Sequence, residues 1–462
     1  MNDWSGKHVL MIGAARQGQA LARHLARRGA RVTLNDQKSS EELTSTIVAL
    51  SDSGVQFVFG SHPLDLLDTA DLVCVSGGVP LTLSIIKEAR RRNIPITNDS
   101  QLFMQDVTCP VIGITGSAGK TTTTSLVGRM AQIAIEKKLV QHGKAWVGGN
   151  IGTPLIDQID QIHSGDLVIL ELSSFQLELM TTSPHLAAVL NVTPNHLDRH
   201  ASMAAYSAAK QRILDFQIAK DVAVLNREDS GSFGLKDAVK GRLVTFGIQK
   251  SDLPGTFLDG EMISVREDVS TRPLFSKKLV ELRGEHNLVN VIAAAAIAWS
   301  AGIPVEAMTA ALVGFTGVPH RLEFIRTYKG ARWYNDSIAT APERTIAALR
   351  SFDEPLVLLL GGRDKNLPWE DLIHLVTERV DNLVLFGEAA PKISAALSAA
   401  PVTGLPETTT ICGGLEEAVK AAAEVSGDGD VVLLAPGGTS FDEFRDFEER
   451  GDKFKQWVNK LS

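Results

Sequence analysis

Short apolar runs recur along this chain, and most stop at a glycine or small polar residue before a helical spacing takes over. Residues 7–13, Lys-His-Val-Leu-Met-Ile-Gly, read as a buried strand. A turn through Gly18 follows, then a helical pattern over 20–28 and a second strand over 30–34 that ends at Asn35-Asp36. The run at 72–75 leads into Ser76-Gly77-Gly78. A helix is expected over 83–92 and a short strand over 94–97. This alternation predicts a parallel sheet for residues 1–107, with Cys109-Pro110 marking its end. The rhythm resumes in the runs at 111–114, 167–171, 187–192 and 222–226. Residues 230–283 are more polar and turn-rich and predict a small antiparallel excursion. A strongly apolar helix over 291–299, entered through Gly284-Glu-His-Asn-Leu-Val-Asn290, closes this section. From Thr316 onward, runs at 356–360, 383–386 and 431–435 each end at glycine or a small residue. They predict a second doubly wound sheet with its site at the strand C-termini. The fold class is α/β throughout.

The strongest chemical signal is residues 111–124, Val-Ile-Gly-Ile-Thr-Gly-Ser-Ala-Gly-Lys-Thr-Thr-Thr-Thr. A strand, a glycine turn and a helix N-terminus form an anion cradle. Inward amides, the helix dipole and Lys120 supply positive potential, and a hydroxyl beside the lysine suits Mg²⁺. Ile114 occupies the first glycine position of the common phosphate-loop spacing, so the loop is a variant. Glu171 ends the next apolar run, where such folds bring a carboxylate to Mg²⁺. The turn Gly13-Ala-Ala15-Arg16-Gln17-Gly18 is of dinucleotide type but carries Ala15 in place of its middle glycine, and Asp36 lies where an acid accepts from a ribose or a base. Other polar residues stay open on spacing alone. His196 reads as a loop hydrogen-bonder, Lys210 as a solvated helix lysine, and Arg321 and Asp336 show nothing special. Asn287 and Asn290 suit either caps or base-edge contacts.

Composition narrows the classes. The chain has 462 residues and a net charge of −8, which speaks against non-specific nucleic-acid binding. Its three cysteines, Cys74, Cys109 and Cys412, lie far apart and predict neither a disulfide framework nor a cysteine metal site. With no signal-peptide pattern and no apolar run long enough for a bilayer, the expectation is a cytoplasmic protein without a membrane span.

Taken together, Thr115-Gly-Ser-Ala-Gly-Lys-Thr-Thr122, Gly149-Asn-Ile-Gly-Thr-Pro154, Glu171-Leu-Ser-Ser-Phe-Gln-Leu-Glu178, Asn191-Val-Thr-Pro-Asn-His-Leu-Asp-Arg-His200, the 284–290 segment, His320-Arg321 and Asn335-Asp-Ser-Ile-Ala-Thr340 appear in one order. That order resembles the Mur ligases of peptidoglycan synthesis, and within them the D-glutamate-adding branch. The resemblance implies three domains: a UDP-sugar-binding sheet at 1–107, a central ATP-binding domain at 108–316 and an amino-acid-binding domain at 317–462. It implies a monomeric, ATP-dependent amide ligase that activates the carboxylate of UDP-N-acetylmuramoyl-L-alanine as an acyl phosphate, for attack by the amine of glutamate.

The resemblance also implies site residues. Gly116, Ser117, Ala118, Gly119, Lys120, Thr121 and Thr122 cradle ATP, with Asn287, Asn290, Arg321 and Asp336 as further nucleotide contacts. Thr121, Glu171, His196 and Lys210 serve two Mg²⁺ sites, Lys210 as a carbamate formed from CO₂. Lys120, Glu171, His196 and Lys210 form the catalytic set. Arg16, Gln17, Asp36, Gln37, Ser76, Gly78 and Asn150 match contacts to the UDP substrate; Thr340, Lys365, Ser440, Phe441 and Phe447 match the glutamate pocket. Four positions depart from the pattern. Ala118 and Asn195 replace an Asn and an Asp, Ala15 replaces a glycine, and Ile338 replaces a lysine that helps place the amino acid. The last raises the question of D- against L-glutamate.

Overall fold

The computed structural model describes residues 4–194, 199–365, 367–399 and 406–462, and its elements form three separate sheets. The first runs Gln56–Phe59, Arg31–Asp36, His8–Ile12, Leu72–Val75, Ile96–Thr97 from edge to edge, with every pairing parallel. Its strand order reverses between His8–Ile12 and Leu72–Val75, so the turns after these two strands flank the crevice where such sheets bind ligands. The helix after the first turn is Arg16–Arg27. It starts four residues earlier than the apolar spacing suggested, because the turn passes directly into helical backbone.

The second sheet has nine strands. The loop-bearing strand Val111–Thr115 lies between Leu186–Val189 and Leu167–Glu171, and Ala145–Gly149 forms the near edge. On the other side come Val222–Asn226 and Arg242–Phe246. Beyond them the predicted antiparallel excursion appears as Gly255–Asp259, Met262–Glu267 and Ser270–Ser276. One apolar core runs from the helix of the first sheet (Leu21, Leu25) to this sheet (Val168, Leu170, Val189). Polar links reinforce it: Asn98 Nδ2 donates to Gln176 O at 2.7 Å, and Arg23 pairs with Asp157 at 2.6 Å.

The third sheet orders Glu323–Tyr328, Ala331–Asn335, Val431–Gly437, Leu356–Gly361, Asn382–Phe386, Thr408–Cys412. Only the first pair is antiparallel. Two apolar layers cover its faces, one around Leu358, Leu385 and Leu433, the other around Trp333, Phe386 and Phe454. The chain divides into two compact units. Residues 1–281 and 285–315 hold the first two sheets; residues 282–284 and 316–462 hold the third. Cys74 and Cys109 are buried and unpaired. Among the described residues no helix is long and apolar enough to cross a membrane.

Candidate active site

The loop Gly116–Gly119 joins the strand Val111–Thr115 to the helix Lys120–Glu136. The helix begins without a side-chain cap, so its first N–H groups face the loop. Gly119 has φ +81, and an added Cβ would collide with the Asn290 carboxamide. Asn290 in turn donates to Asn287 Oδ1 at 3.1 Å. Lys120 curls back, its Nζ donating to Gly116 O at 2.8 Å and Ser117 O at 3.3 Å. Asn191 clamps the loop from outside. Its Oδ1 accepts from Ala118 N at 2.8 Å and its Nδ2 donates to Ala118 O at 3.1 Å. The missing asparagine at 118 therefore leaves the loop backbone held by another carboxamide. Ser117 Oγ accepts from Thr193 N and meets the Tyr206 hydroxyl, both at 3.0 Å.

Register carries Glu171 to the loop: it pairs with Ile114 on the adjacent strand. Its Oε1 accepts from Asn150 Nδ2 at 2.9 Å. Its Oε2 is buried with no hydrogen-bond partner among the described residues. A carboxylate oxygen left bare at this depth is costly unless a cation takes it. The donor chemistry fits Mg²⁺, since Glu171 and the Thr121 hydroxyl are hard oxygens. Among the described residues no cluster of three or more His, Cys, Asp or Glu forms a ready metal cage. His196 and Asn195 lie outside the described residues.

Lys210 overturns its reading as a solvated lysine. The helix Met203–Asp215 turns it inward until it is 1% exposed. Its Nζ reaches Thr115 Oγ1 at 3.4 Å and lies 4.8 Å from the centre of the Tyr206 ring. Burial, helped by the charge of Lys120 and opposed by Glu171, pushes its pKa down to about 6. At neutral pH the amine is uncharged and nucleophilic. Thr115, Ser173 and Gln176 carry no individual expectation from the sequence. The last two form a capping box just after Glu171, and the spacing Ser-x-x-Gln was the signal that would have found it.

The first sheet presents its two ligand turns to this region. Gly13 has φ +100, and Gly18 packs so closely that a Cβ would strike Gly13 O. Ala15, at φ −72, needs no glycine. Asp36 takes Ala14 N at 2.7 Å and Lys38 N at 3.0 Å, so its carboxylate shapes the turn. Arg16, Gln37 and Gly78 are exposed, and Ser76 is buried. Gln17 Nε2 reaches across to Gly149 O at 3.1 Å, next to Asn150. A cavity of about 250 Å³ opens here, lined by Ser76, Gly77, Thr82, Phe175, Glu178 and Arg199.

In the other unit, the remaining candidates gather at the C-terminal edge of the third sheet. Asp336 and Thr340 follow Ala331–Asn335, Lys365 follows Leu356–Gly361, Ser440 and Phe441 follow Val431–Gly437, and Phe447 opens the helix Phe447–Lys460. Asp336 accepts from Leu322 N at 3.0 Å, and burial raises its pKa to about 6. His320, at φ +63, stands edge-on to Phe447, with the Arg321 backbone beside it. Ser440 is buried, whereas Phe441 and Lys365 are exposed. Arg450 had no signal in the sequence. It is fully buried and ties Ser337 to Gly438.

Comparison with known proteins bears on the whole chain. Residues 7–98 match the family model for the Mur ligase MurD-like N-terminal domain, 114–298 the Mur ligase middle domain, and 320–438 the Mur ligase glutamate ligase domain. The UDP-N-acetylmuramoylalanine–D-glutamate ligase of Symbiobacterium thermophilum is 40% identical over 459 residues, covering 99% of this chain and 98% of that one. The protein of the same name from Koribacter versatilis is 40% identical over 461 residues, with 100% and 99% covered. Among solved structures, UDP-N-acetylmuramate–alanine ligase from Thermotoga maritima shares the fold (TM-score 0.57, 20% identity, 98% and 99% covered). MurF from Acinetobacter baumannii does so too (TM-score 0.58, 17% identity, 97% and 93% covered). With identity of this order along its full length, and with a phosphate loop, a bare buried carboxylate and a neutral lysine meeting in its central sheet, the chain belongs to the Mur ligase family.

Proposed function

We propose that this protein is an ATP-dependent ligase that joins D-glutamate to UDP-N-acetylmuramoyl-L-alanine, releasing ADP and phosphate, in peptidoglycan precursor synthesis. The observation that carries the chemistry is the meeting of the Gly116–Lys120 cradle with Glu171 Oε2 and the Lys210 amine. A carboxylate is a poor electrophile, so the alanyl carboxylate first takes the γ-phosphoryl group. The glutamate amine then attacks the acyl phosphate through a tetrahedral intermediate, and phosphate leaves.

Each residue has a task in that sequence. Lys120, released from its two loop carbonyls, turns to the phosphates together with the loop amides. Thr121, Glu171, His196 and Lys210 would hold Mg²⁺, which when bound neutralises the charge gathered on the phosphates. The neutral Lys210 amine adds CO₂ and loses a proton, becoming an oxygen anion suited to a hard cation. Arg16, Gln17, Asp36, Gln37, Ser76, Gly78 and Asn150 bind the UDP substrate. Asn287, Asn290, Arg321 and Asp336 serve the nucleotide. Thr340, Lys365, Ser440, Phe441 and Phe447 take the amino acid. The domain limits 1–107, 108–316 and 317–462, a monomeric state and a cytoplasmic location belong to the same proposal.

The test is phosphate release from purified protein with ATP, Mg²⁺, UDP-N-acetylmuramoyl-L-alanine and either enantiomer of glutamate. Release with D-glutamate is expected. Release with L-glutamate alone would reassign the stereochemistry, the point raised by Ile338. Release with neither would remove the reading.

A further inference from the structure

Arg344 lies in the first turn of the helix Pro342–Leu349 and is exposed. Its Nη1 donates to Ile338 O at 3.3 Å, the carbonyl that also accepts from Thr340 N at 2.9 Å. The guanidinium is thereby held over the turn that carries Ile338 and Thr340. Lys365 stands close by: after burial, Arg344 is the largest influence lowering its pKa. Among the described residues no carboxylate forms an ion pair with either cation, although the buried Asp336 is near enough to feel the charge of Arg344. Glu343 is near enough to favour the charged lysine but is not bonded to it.

This arrangement is unfavourable by itself. Two cations repel, and an arginine in the first turn of a helix opposes the helix dipole. Ala341 gives that helix no side-chain cap, so Glu343 is the acidic residue of the first turn that offsets its positive end. A second anion-seeking group kept at such a position makes sense if an anion arrives. Residue 338, which could have supplied the charge, is isoleucine.

We propose that Arg344 and Lys365 form one carboxylate-binding pair for the incoming amino acid, with Arg344 supplying from the next helix the charge that residue 338 lacks. The proposal rests on the functional reading above. A guanidinium offers a carboxylate two parallel donors, which an ammonium does not.

Steady-state kinetics on Arg344→Ala, Arg344→Lys and the double variant Arg344→Ala/Ile338→Lys test it, with KM taken for D-glutamate, ATP and the UDP substrate. Arg344→Ala should raise KM for D-glutamate about tenfold or more, a charge-assisted bond's worth, and leave the other two within about twofold. The double variant should recover most of the loss and Arg344→Lys part of it. An unchanged KM for D-glutamate or equal rises for all three substrates would overturn the proposal. Wild-type protein that does not use glutamate at all would instead overturn the functional reading, whatever the variants do.

Discussion

Among the described residues two cationic side chains, a lysine and an arginine, are fully buried, one in each unit, and they are treated in opposite ways. Arg450, in the C-terminal unit, gives its Nε to Ser337 Oγ at 3.0 Å and its Nη groups to Ser337 O at 2.9 Å and Gly438 O at 3.2 Å. Burial lowers its pKa only to about 10, with Asp442 and Glu443 favouring the charge. It stays an ion. Lys210, in the central sheet, has one long contact at 3.4 Å and an aromatic face, and its pKa falls to about 6. It becomes a neutral amine. Satisfied donors keep a buried charge and make it architecture; unsatisfied ones surrender the charge and leave a reactive group.

Replacing Lys210 should give the largest effect. Lys210→Ala should lose activity by on the order of 10²–10³-fold, as expected for removing an electrostatic partner from the transition state. Added acetate or formate should restore part of it, by returning an oxygen anion to the cavity. Lys210→Met should be as inactive yet more stable than wild type near neutral pH. The lysine must shed its proton to fold, and its folded pKa of about 6 lies below an unfolded value of about 10.4. The unfolded chain therefore holds the extra proton between those limits, so wild-type stability relative to Lys210→Met should climb as pH rises from about 6 to about 10. Urea unfolding in CO₂-free buffer at three pH values decides this; a difference that stays flat would refute the neutral-amine reading.

Arg450→Met should do the reverse, lowering the unfolding free energy of the C-terminal unit by about 3 kcal/mol, since two carbonyls and a hydroxyl lose their donors. Arg450→Lys should recover little, because one ammonium cannot span that fork. A neutral urea profile for Arg450→Met would break the contrast. Gly119→Ala should be milder, at about 1–2 kcal/mol, with strain at φ +81 and a collision with Asn290. Its signature is a raised KM for ATP with little change for glutamate.

What the sequence discloses follows the same physics. The loop and Glu171 were legible because strand, glycines, lysine and helix are contiguous. The parallel sheets were legible because their central strands are unbroken apolar runs, as in Leu356–Gly361. Edge strands such as Ala145–Gly149, Glu323–Tyr328 and Thr408–Cys412 escape that pattern, being half exposed and mixed in composition. Lys210 was legible only through family resemblance. A lysine between Ala209 and Gln211 on a helix reads as solvated, and its burial is decided by how that helix packs on the sheet. Arg344 and Arg450 left no trace, since their meaning lies in carbonyls of other elements, those of Ile338, Ser337 and Gly438.

Asp336 is the intermediate case and sharpens the rule with the smallest effect. It is a buried acid with one backbone donor, Leu322 N, so it is neither fully satisfied nor bare. Burial raises its pKa to about 6, with Arg321 and Arg344 pulling it back. A folded value above the unfolded value of about 3.9 means the native state holds the extra proton between the two. The stabilisation is complete below about pH 4, shrinks as pH rises, and is gone above about pH 6. Asp336→Asn keeps an oxygen for Leu322 N but has no charge to bury. The variant should thus match wild type near pH 4 and exceed it by on the order of 1 kcal/mol at pH 8. Urea midpoints of the C-terminal unit at the two pH values measure this. If the variant were instead weaker at pH 8, the ionised carboxylate would be paid back by Arg321 and Arg344, and Asp336 would side with Arg450 as a charge that its neighbours keep.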